Sequence, residues 1–217
     1  MGSIHLGLDG VARCWWCGDD PLYVAYHDQE WGRPLHDEQQ LYGLFVLEGF
    51  QAGLSWITIL RKRPAFELAF DGFDPEKVAT YGPAELDRLL ADAGIVRNRA
   101  KCEAAIANAR ATLQLWEEGE TLDGLCRSFA PPPRPRRLRA DEELPALTPE
   151  STALAKELRR RGFRFLGPTV VYAHLQSAGF VDDHLEGCSV PDPPPTRQLM
   201  STVPLPDHPP PPKKEPT

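Results

Sequence analysis

The chain has 217 residues, of which 41% are hydrophobic, so it can bury the core of one folded domain. Its apolar runs, such as residues 44–47 and 170–173, are far shorter than the roughly 20 residues that span a bilayer, and no membrane protein is expected. The formal net charge of −7 argues, taken alone, against nucleic-acid binding, because phosphate contacts need cations.

Helix signals dominate the sequence and predict an all-α fold. Capping residues, two of them followed by proline, mark helix starts at Asp37, Asp74-Pro75-Glu76 and Thr148-Pro149-Glu150. The predicted helices cover, in chain order, residues 37–48, 55–62, 74 onward, 83–91, 97–116, 148–161 and 168–178. No stretch combines strict polar and apolar alternation with a hairpin dipeptide, so strands are not expected.

These helices fall within one predicted domain, residues 13–190. Residues 1–12 are expected to form a flexible N-terminal extension, and they lack the basic and apolar regions of a signal peptide. Residues 130–145 are rich in proline and arginine and predict a linker loop. Residues 191–217 contain eleven prolines in 27 residues, which predicts a disordered tail.

Cysteine and histidine residues near the two ends of the chain have the spacing of metal ligands. The five cysteines do not form a disulfide pattern, which favours a reducing compartment where such clusters often bind metal. Cys14 and Cys17 lie close to His27, and His184 and Cys188 stand at i and i+4, on one side of a predicted helical turn. Two ligands from each end would complete a closed, structural site. Spacing leaves the choice between Cys14 and Cys17 open, and each residue taken alone is more typical of a buried core residue than of a metal ligand.

Glu48 lies on the apolar stripe of its predicted helix. It follows Leu41 by seven residues and Leu44 by four, which places all three on one face. A charge on a face turned to the core is costly unless it has a partner or a function. The alternative is that Glu48 lies at a frayed helix end, before Gly49, and reaches water.

Aromatic residues crowd the same part of the sequence. They are Trp15, Trp16, Tyr23, Tyr26, Trp31 and Trp56. Most aromatic residues are simply core, but beside a buried carboxylate they would form a flat-walled pocket suited to a planar base.

Residues 89–101, LLADAGIVRNRAK, predict two helices joined by a tight turn at Ala93-Gly94. Backbone N–H groups at such a turn and at the next helix start can bind phosphate without side-chain charge. Arg97, Arg99 and Lys101 add cations. This helix–hairpin–helix pattern would reconcile DNA binding with an acidic chain, although any pair of antiparallel helices can contain a glycine at its turn.

Five blocks together resemble the DNA-3-methyladenine glycosylase I family. They are DPLYVAYHDQEWG (20–32), LEGFQAGLSWITIL (47–60), DAGIVRNRAK (92–101), RRGFRFLGPT (160–169) and DDHLEGC (182–188). The resemblance extends from about Arg13 to Cys188, which makes residues 13–190 the glycosylase domain. It implies a helix–hairpin–helix glycosylase fold with a structural Zn²⁺ that tethers the two ends of the chain.

The resemblance also implies roles for individual residues. The zinc ligands would be Cys14, His27, His184 and Cys188, which decides against Cys17. Glu48 would be the catalytic carboxylate, and the alkylated base would be bound by Tyr26, Trp56, Trp16 and Trp31. DNA contacts would come from Gly53, Leu54, Gly94, Arg97, Arg99 and Lys101, with Gly53 and Leu54 filling the gap left by the extruded nucleotide.

The implied reaction is the excision of 3-methyladenine from double-stranded DNA by a monofunctional enzyme that leaves an abasic site. Residues 113–116, LQLW, contain no catalytic aspartate downstream of the hairpin, as the resemblance leads us to expect. A cationic base needs little acid catalysis. We expect a monomer of the cytoplasm, associated with the nucleoid when it acts. The alternatives are a non-catalytic, zinc-stabilised DNA-binding module and a zinc hydrolase, which would need an open metal position.

Overall fold

The computed structural model describes residues 3–197, and helices dominate this part of the chain. The helices are α1 (Pro21–Gln29), α2 (Glu38–Gln51), α3 (Trp56–Ala69), α4 (Pro75–Ala79), α5 (Pro83–Ala91), α6 (Arg99–Glu117), α7 (Leu122–Phe129), α8 (Pro149–Arg160) and α9 (Pro168–Ser177). Short 3₁₀ turns lie at Trp15–Cys17 and Asp71–Phe73. No helix among residues 3–197 is both long and apolar enough to cross a membrane.

The expectation of an all-α chain is corrected at the N-terminus by a small antiparallel hairpin. Strands β1 (Ile4–Leu6) and β2 (Ala12–Cys14) pair with Ile4 opposite Cys14. The hairpin therefore includes most of the extension that was expected to be flexible. Three-residue strands are too short to show period-2 alternation, so the pattern could not reveal them. The hairpin is held to the domain where the Ser189 amide donates to the carbonyl of Ala12 at 2.8 Å.

Two helices, α1 and α7, were not predicted from the sequence, although their capping signals are present. At the start of α1, Asp20 accepts hydrogen bonds from two backbone amides and Pro21 occupies the first helical position. At the start of α7, Thr121 accepts from the Gly124 amide at 3.0 Å. Helix α3 also continues beyond the predicted residue 62, through Pro64, because its last turns bury Phe66 in the core.

Helix α2 lies at the centre of the domain and packs against α3, α6, α7 and α9. Every residue from Leu41 to Phe50 is buried, so the helix is covered on all sides. Its start is fixed by Asp37, whose side chain accepts a hydrogen bond from the Gln40 amide at 2.9 Å. This position places Glu48 deep in the structure, three residues before the helix ends at Gln51.

The predicted loop 130–145 has no helix, and its arginines attach it to the segment after α9. Arg134 forms an ion pair with the buried carboxylate of Asp183, and Arg137 pairs with Asp182 at 2.9 Å. Leu138 forms a parallel bridge with Leu185. These contacts fix the segment that carries His184.

The predicted tail, residues 191–217, lies mostly outside the described residues, which end at Arg197. The Arg197 guanidinium pairs with the buried carboxylate of Glu30, and its amide donates to the Pro34 carbonyl at 3.1 Å. Glu30 also forms a bidentate pair with Arg63 of α3. The start of the tail is thereby joined to the end of α1.

Candidate active site and metal centre

Four buried side chains from the two ends of the domain converge on one point. They are Cys14, His27, His184 and Cys188, and their ligand atoms all lie within 4.8 Å of one another. The Cys188 thiol lies 3.5 Å from Nε2 of His27 and 3.6 Å from Nδ1 of His184. The Cys14 thiol lies 3.7 Å from Nδ1 of His184. The cluster joins the end of β2, helix α1 and the segment after α9.

The distances and donor types fit a tetrahedral zinc ion. Bonds of about 2.0–2.3 Å to nitrogen and sulfur place the ligand atoms about 3.3–3.8 Å apart. The three pairs of atoms described above fall in that range. Cys17 is not one of the four residues, since its thiol donates instead to the carbonyl of Cys14 at 3.2 Å. Four protein ligands leave no open position, so a metal here would have a structural role.

Neighbouring groups orient both histidines toward the cluster. Nδ1 of His27 lies 2.8 Å from the Asp28 carboxylate, and Nε2 of His184 lies 3.1 Å from the Trp31 carbonyl oxygen. Each contact holds a proton on the outer ring nitrogen and leaves the inner nitrogen with its lone pair toward the cluster. Arg13, which is buried, holds Asp28 through a bidentate pair and extends this support to Asp9 of the hairpin.

The expectation that His184 and Cys188 share a helical turn is wrong. The segment after α9 is irregular, and a turn in which the Cys188 amide donates to the Leu185 carbonyl at 3.0 Å brings the two ligands together. Gly187 adopts φ +88°, a conformation that favours glycine. The i, i+4 spacing therefore predicted the contact correctly but for a different backbone.

Glu48 is buried, with 2% of its surface exposed, so it does not lie at a frayed helix end. The Ser177 hydroxyl on α9 donates a hydrogen bond to Oε1. Oε2 has no hydrogen-bond partner among residues 3–197. Burial raises the pKa of the Glu48 carboxyl well above its usual value, and the hydrogen bond from Ser177 offsets only part of this effect.

Aromatic rings, beginning with Tyr26, lie close to this carboxylate. Tyr26 is buried and its ring centroid lies 5.5 Å from that of Trp56. Burial and, second, the charge of Glu48 raise the pKa of Tyr26, which reflects their proximity. Trp56 packs against both the main core and the aromatic cluster around the metal ligands. Its indole Nε1 is buried and, within the described part of the chain, has no hydrogen-bond acceptor.

Trp16 and Trp31 connect these rings to the metal ligands. Trp16 lies 6.3 Å from Tyr26 and 4.9 Å from Trp31, measured between ring centroids. Trp31 in turn lies 4.7 Å from the ring of His184. Trp15 differs from the rest because it is 51% exposed. The structure thus brings together all four aromatics that the resemblance assigns to base binding and leaves Trp15, which was not among them, at the surface.

The loop between α2 and α3 places Gly53 and Leu54 at the surface, between the helix that carries Glu48 and the helix that begins with Trp56. Leu54 is 42% exposed, and Gly53 has φ +84°. Lys101 is buried and donates hydrogen bonds to the carbonyls of Phe50 at 2.9 Å and Ala52 at 2.7 Å. The ammonium group thus caps the end of α2 inside the protein instead of extending to the surface as a free cation.

The turn between α5 and α6 spans residues 92–98 and packs closely on α3. A Cβ at Gly94 would lie 2.9 Å from Cβ of Ala65, so a larger residue would push the turn away. Lys62 donates to the carbonyls of Ala93 and Gly94 and fixes the turn further. Arg97 is exposed, whereas Arg99 shares two longer ion pairs, with Asp87 at 3.7 Å and Glu103 at 3.8 Å.

A cleft of about 690 Å³ lies elsewhere, between α5, α6 and the residues after α8. Its lining mixes acidic and basic side chains, including Asp87, Arg99, Glu103 and Arg161, and does not include Glu48. Five buried side-chain atoms in residues 3–197 have no hydrogen-bond partner: Oε2 of Glu48, Nε1 of Trp56, both ring nitrogens of His174 and Nη1 of Arg197. None of them belongs to a residue that lines the cleft, so the chemistry points to the site around Glu48.

Comparison with known proteins identifies the family. The sequence profile described as methyladenine glycosylase matches residues 16–191. DNA-3-methyladenine glycosylase 1 of Escherichia coli (strain K12) is 46% identical over 179 residues, which cover 82% of this chain and 96% of that protein. The chain belongs to the methyladenine glycosylase family.

Solved structures of the family agree with this assignment. A crystal structure of 3-methyladenine DNA glycosylase I superposes with a TM-score of 0.79 at 44% identity, covering 82% of this chain and 98% of the other. A variant of 3-methyladenine DNA glycosylase I in complex with 3-methyladenine gives a TM-score of 0.76 at 36% identity, covering 80% of this chain and 94% of the other.

Two polar side chains beside Glu48 were not predicted from the sequence. Ser177 and His174, both on α9, face Glu48, but a serine and a histidine in an apolar helix carry no signal of their own. Their i, i+3 spacing places them on one face, and only the packing of α9 on α2 shows what they face. The N-terminal hairpin and Arg197 lie outside the region that matches the family profile.

Proposed function

We propose that the protein excises 3-methyladenine from alkylated double-stranded DNA by hydrolysing the N-glycosyl bond and leaves an abasic site. The observation that carries the proposal is Oε2 of Glu48, a buried oxygen that has no hydrogen-bond partner among residues 3–197 and lies close to Tyr26, whose ring packs against Trp56. An unpaired buried acceptor costs free energy, so it marks a position where a ligand completes the hydrogen bonding.

The chemistry of the lesion suits this site. Adenine methylated at N3 carries a positive charge while it is attached to deoxyribose. When the bond from C1′ to N9 breaks, its electron pair neutralises the ring, and the base leaves as neutral 3-methyladenine. Water adds to C1′ and loses a proton to solvent. The site therefore needs to extrude, select and desolvate the base, and it does not need to protonate it.

Each pocket residue has a role in this step. Glu48 accepts a hydrogen bond from the exocyclic amine and attracts the positive ring. The electron-rich faces of Tyr26 and Trp56 stabilise a stacked cation, and Trp16 and Trp31 complete the aromatic wall. Trp56 Nε1 supplies a further donor, because its proton has no acceptor among the described residues. No lysine nucleophile is involved, so the enzyme is monofunctional.

We assign the Cys14, His27, His184 and Cys188 cluster to a structural Zn²⁺. When bound, the ion would tie the two ends of the domain together and supply no chemistry to the reaction. The support is the buried set of two thiols and two imidazoles, whose ligand atoms all lie within 4.8 Å of one another, together with the orienting contacts on both histidines.

The DNA surface extends from the exposed loop at Gly53 and Leu54 to the turn between α5 and α6. Leu54 is apolar and exposed, as a side chain that fills the gap of an extruded nucleotide must be. Backbone amides at the start of α6 bind phosphate, with Arg97 and Arg99 beside them, while the Gly94 amide donates to the Asp92 carboxylate at 2.7 Å and shapes the turn. Lys101 positions this surface from within, since it holds the carbonyls of Phe50 and Ala52 below the loop.

Incubation of the purified protein with methylated duplex DNA tests the proposal. We expect chromatography to identify 3-methyladenine among the released bases. The abasic sites left in the DNA should be detected as strand breaks after treatment with alkali. Binding of the DNA without release of any base would support the non-catalytic DNA-binding module instead. The zinc content of the same preparation, measured in parallel, shows whether the protein was loaded.

A further inference from the structure

His174 contacts the catalytic site, yet the reaction described above does not use it. It lies on α9 with 0% of its surface exposed. Its imidazole stacks on Phe45, with centroids 3.7 Å apart and planes 13° apart. Nδ1 lies 3.8 Å from Oε2 of Glu48.

Three polar atoms of this pair have no hydrogen-bond partner within residues 3–197. They are Nδ1 and Nε2 of His174 and Oε2 of Glu48. A phenylalanine at this position would stack on Phe45 equally well without the cost of two buried, unpaired nitrogens. The distance of 3.8 Å is slightly too long for a hydrogen bond, and a small rotation of the carboxylate would close it.

The other groups around Glu48 do not decide whether it is ionised. Tyr26 faces it from α1 and Cys126 from α7, and burial raises the pKa of both, so both are neutral near pH 7. Ser177 of α9 lies within hydrogen-bond distance of both Oε1 and the His174 carbonyl. Its hydroxyl can therefore donate to an ionised Glu48 or accept from a protonated one. Among residues 3–197, no lysine or arginine forms an ion pair with Glu48.

We propose that His174 is a positioning residue that presents an Nδ1 proton to one lone pair of Oε2 of Glu48, which leaves the other lone pair for the base, and thereby keeps the carboxylate ionised to receive a cationic base. A hydrogen bond donated to the charged form of a carboxyl group favours that form. This inference rests on the proposed function, because an ionised carboxylate has a use in the pocket only if the ligand is positively charged or rich in donors.

A neutral histidine fits this role better than a lysine or an arginine. Burial lowers the pKa of His174 to about 3, so the ring is neutral at physiological pH. It can donate one proton to Glu48 without adding a positive charge near a cationic base. A lysine or arginine at the same position would also keep Glu48 ionised, but it would repel the substrate.

The direct test is the protonation of the two side chains in the free protein, measured by NMR. The ¹³C shift of the Glu48 carboxyl carbon, assigned with Glu48→Gln, reports its titration midpoint. His174→Phe keeps the stacking on Phe45 and removes the donor, and we expect the midpoint to rise by about one pH unit or more. His174→Asn places an amide N–H near the position of Nδ1 and should keep the midpoint close to that of the wild type.

An unchanged or lower midpoint in His174→Phe overturns the inference. The ¹⁵N shifts of the His174 ring in the wild-type protein provide a second test that needs no variant and therefore does not depend on its folding. The inference requires the tautomer with its proton on Nδ1, and a ring protonated on Nε2 alone overturns it.

Calorimetry of free 3-methyladenine binding over a range of pH tests whether the Nδ1 proton of His174 affects the affinity for the ligand. His174→Phe should bind about tenfold more weakly below the Glu48 midpoint and recover as the pH rises, since one pKa unit corresponds to about a factor of ten. An equal loss at every pH indicates a merely structural residue and overturns the inference. If the wild type releases no 3-methyladenine from DNA but the midpoint still shifts, the proposed function fails while the placement of the proton stands.

Discussion

Trp31 lies against His184, with ring centroids 4.7 Å apart and the Trp31 carbonyl oxygen 3.1 Å from Nε2 of the imidazole. One residue thus orients a metal ligand through its backbone and lines the aromatic cluster through its side chain. Trp31 therefore belongs both to the surroundings of the candidate metal centre and to the proposed base pocket. Loss of the metal is therefore expected to disturb the pocket as well as the ends of the chain.

Asp28→Asn should weaken zinc binding. The Asp28 carboxylate holds the proton on Nδ1 of His27, and replacing such an orienting carboxylate costs about 10- to 100-fold in metal affinity. Competition with a metallochromic chelator measures the zinc affinity. Asp19→Asn is the matched control, because Asp19 is exposed and bonds to His5 of the hairpin. Equal affinities in the two variants would contradict the assignment of the cluster.

Lys101→Met should separate base recognition from action on DNA. The variant keeps the apolar stem and loses two hydrogen bonds from a charged donor, which are each worth about 1.5–3 kcal/mol. We expect excision from methylated duplex DNA to fall about tenfold or more, with free 3-methyladenine binding changed by less than about twofold. Lys156→Ala, at an exposed site on α8, provides the control. Equal losses of DNA activity and base binding would show that Lys101 supports the pocket itself.

Arg97→Ala combined with Arg99→Ala should reduce the salt dependence of DNA binding. Each phosphate contact that is lost lowers the slope of log K against log salt concentration by about 1. The control is Arg159→Ala combined with Arg160→Ala on α8, so that both double variants have the same net charge. Fluorescence anisotropy at several salt concentrations measures the slopes. The same slope in both double variants would exclude the turn between α5 and α6 as the phosphate site.

Glu48→Gln should stabilise the fold at neutral pH. Burial raises the folded-state pKa of this carboxyl above its ordinary value of 4.5, so the folded protein binds more protons than the unfolded chain above that pH. The contribution of Glu48 to stability is therefore fully present below pH 4.5 and is lost as the pH rises through the folded-state pKa. We expect the variant to exceed the wild type by about 1 kcal/mol or more at pH 7 and to differ little at pH 4, as measured by chemical unfolding. A wild type that is more stable at pH 7 would contradict this.

The main helices and their caps could be predicted from the sequence because these signals are local. Asp37 and Thr148 cap α2 and α8 as the pattern indicates, through hydrogen bonds to the amides of Gln40 and Ser151. The hairpin at Ile4–Cys14 could not be predicted, since its strands are short and are stabilised by contacts with a distant part of the chain. Such tertiary contacts leave no periodicity in the sequence.

The candidate site could likewise be predicted only in part. The apolar stripe indicated that Glu48 could be buried, although a frayed helix end also fitted the sequence. The types and spacing of the cysteines and histidines indicated a cluster, and only the family resemblance decided between Cys14 and Cys17. The inward turn of Lys101 was not predictable, because a lysine near a basic turn has the same pattern whether it binds phosphate or caps a helix. The contact of His174 with Glu48 depends on the packing of α9 on α2 and has no local signal.

The most direct measurement is single-turnover release of 3-methyladenine from methylated duplex DNA by the wild type, Glu48→Gln and a control, Glu157→Gln, whose carboxylate pairs with Arg160 and Arg161 at the end of α8. We predict that the wild type and the control release the base at equal rates. Glu48→Gln should be slower by at least about tenfold, since it exchanges a charged acceptor for a neutral one. Base release at the wild-type rate by a folded, zinc-loaded Glu48→Gln protein would contradict the central role of the buried carboxylate.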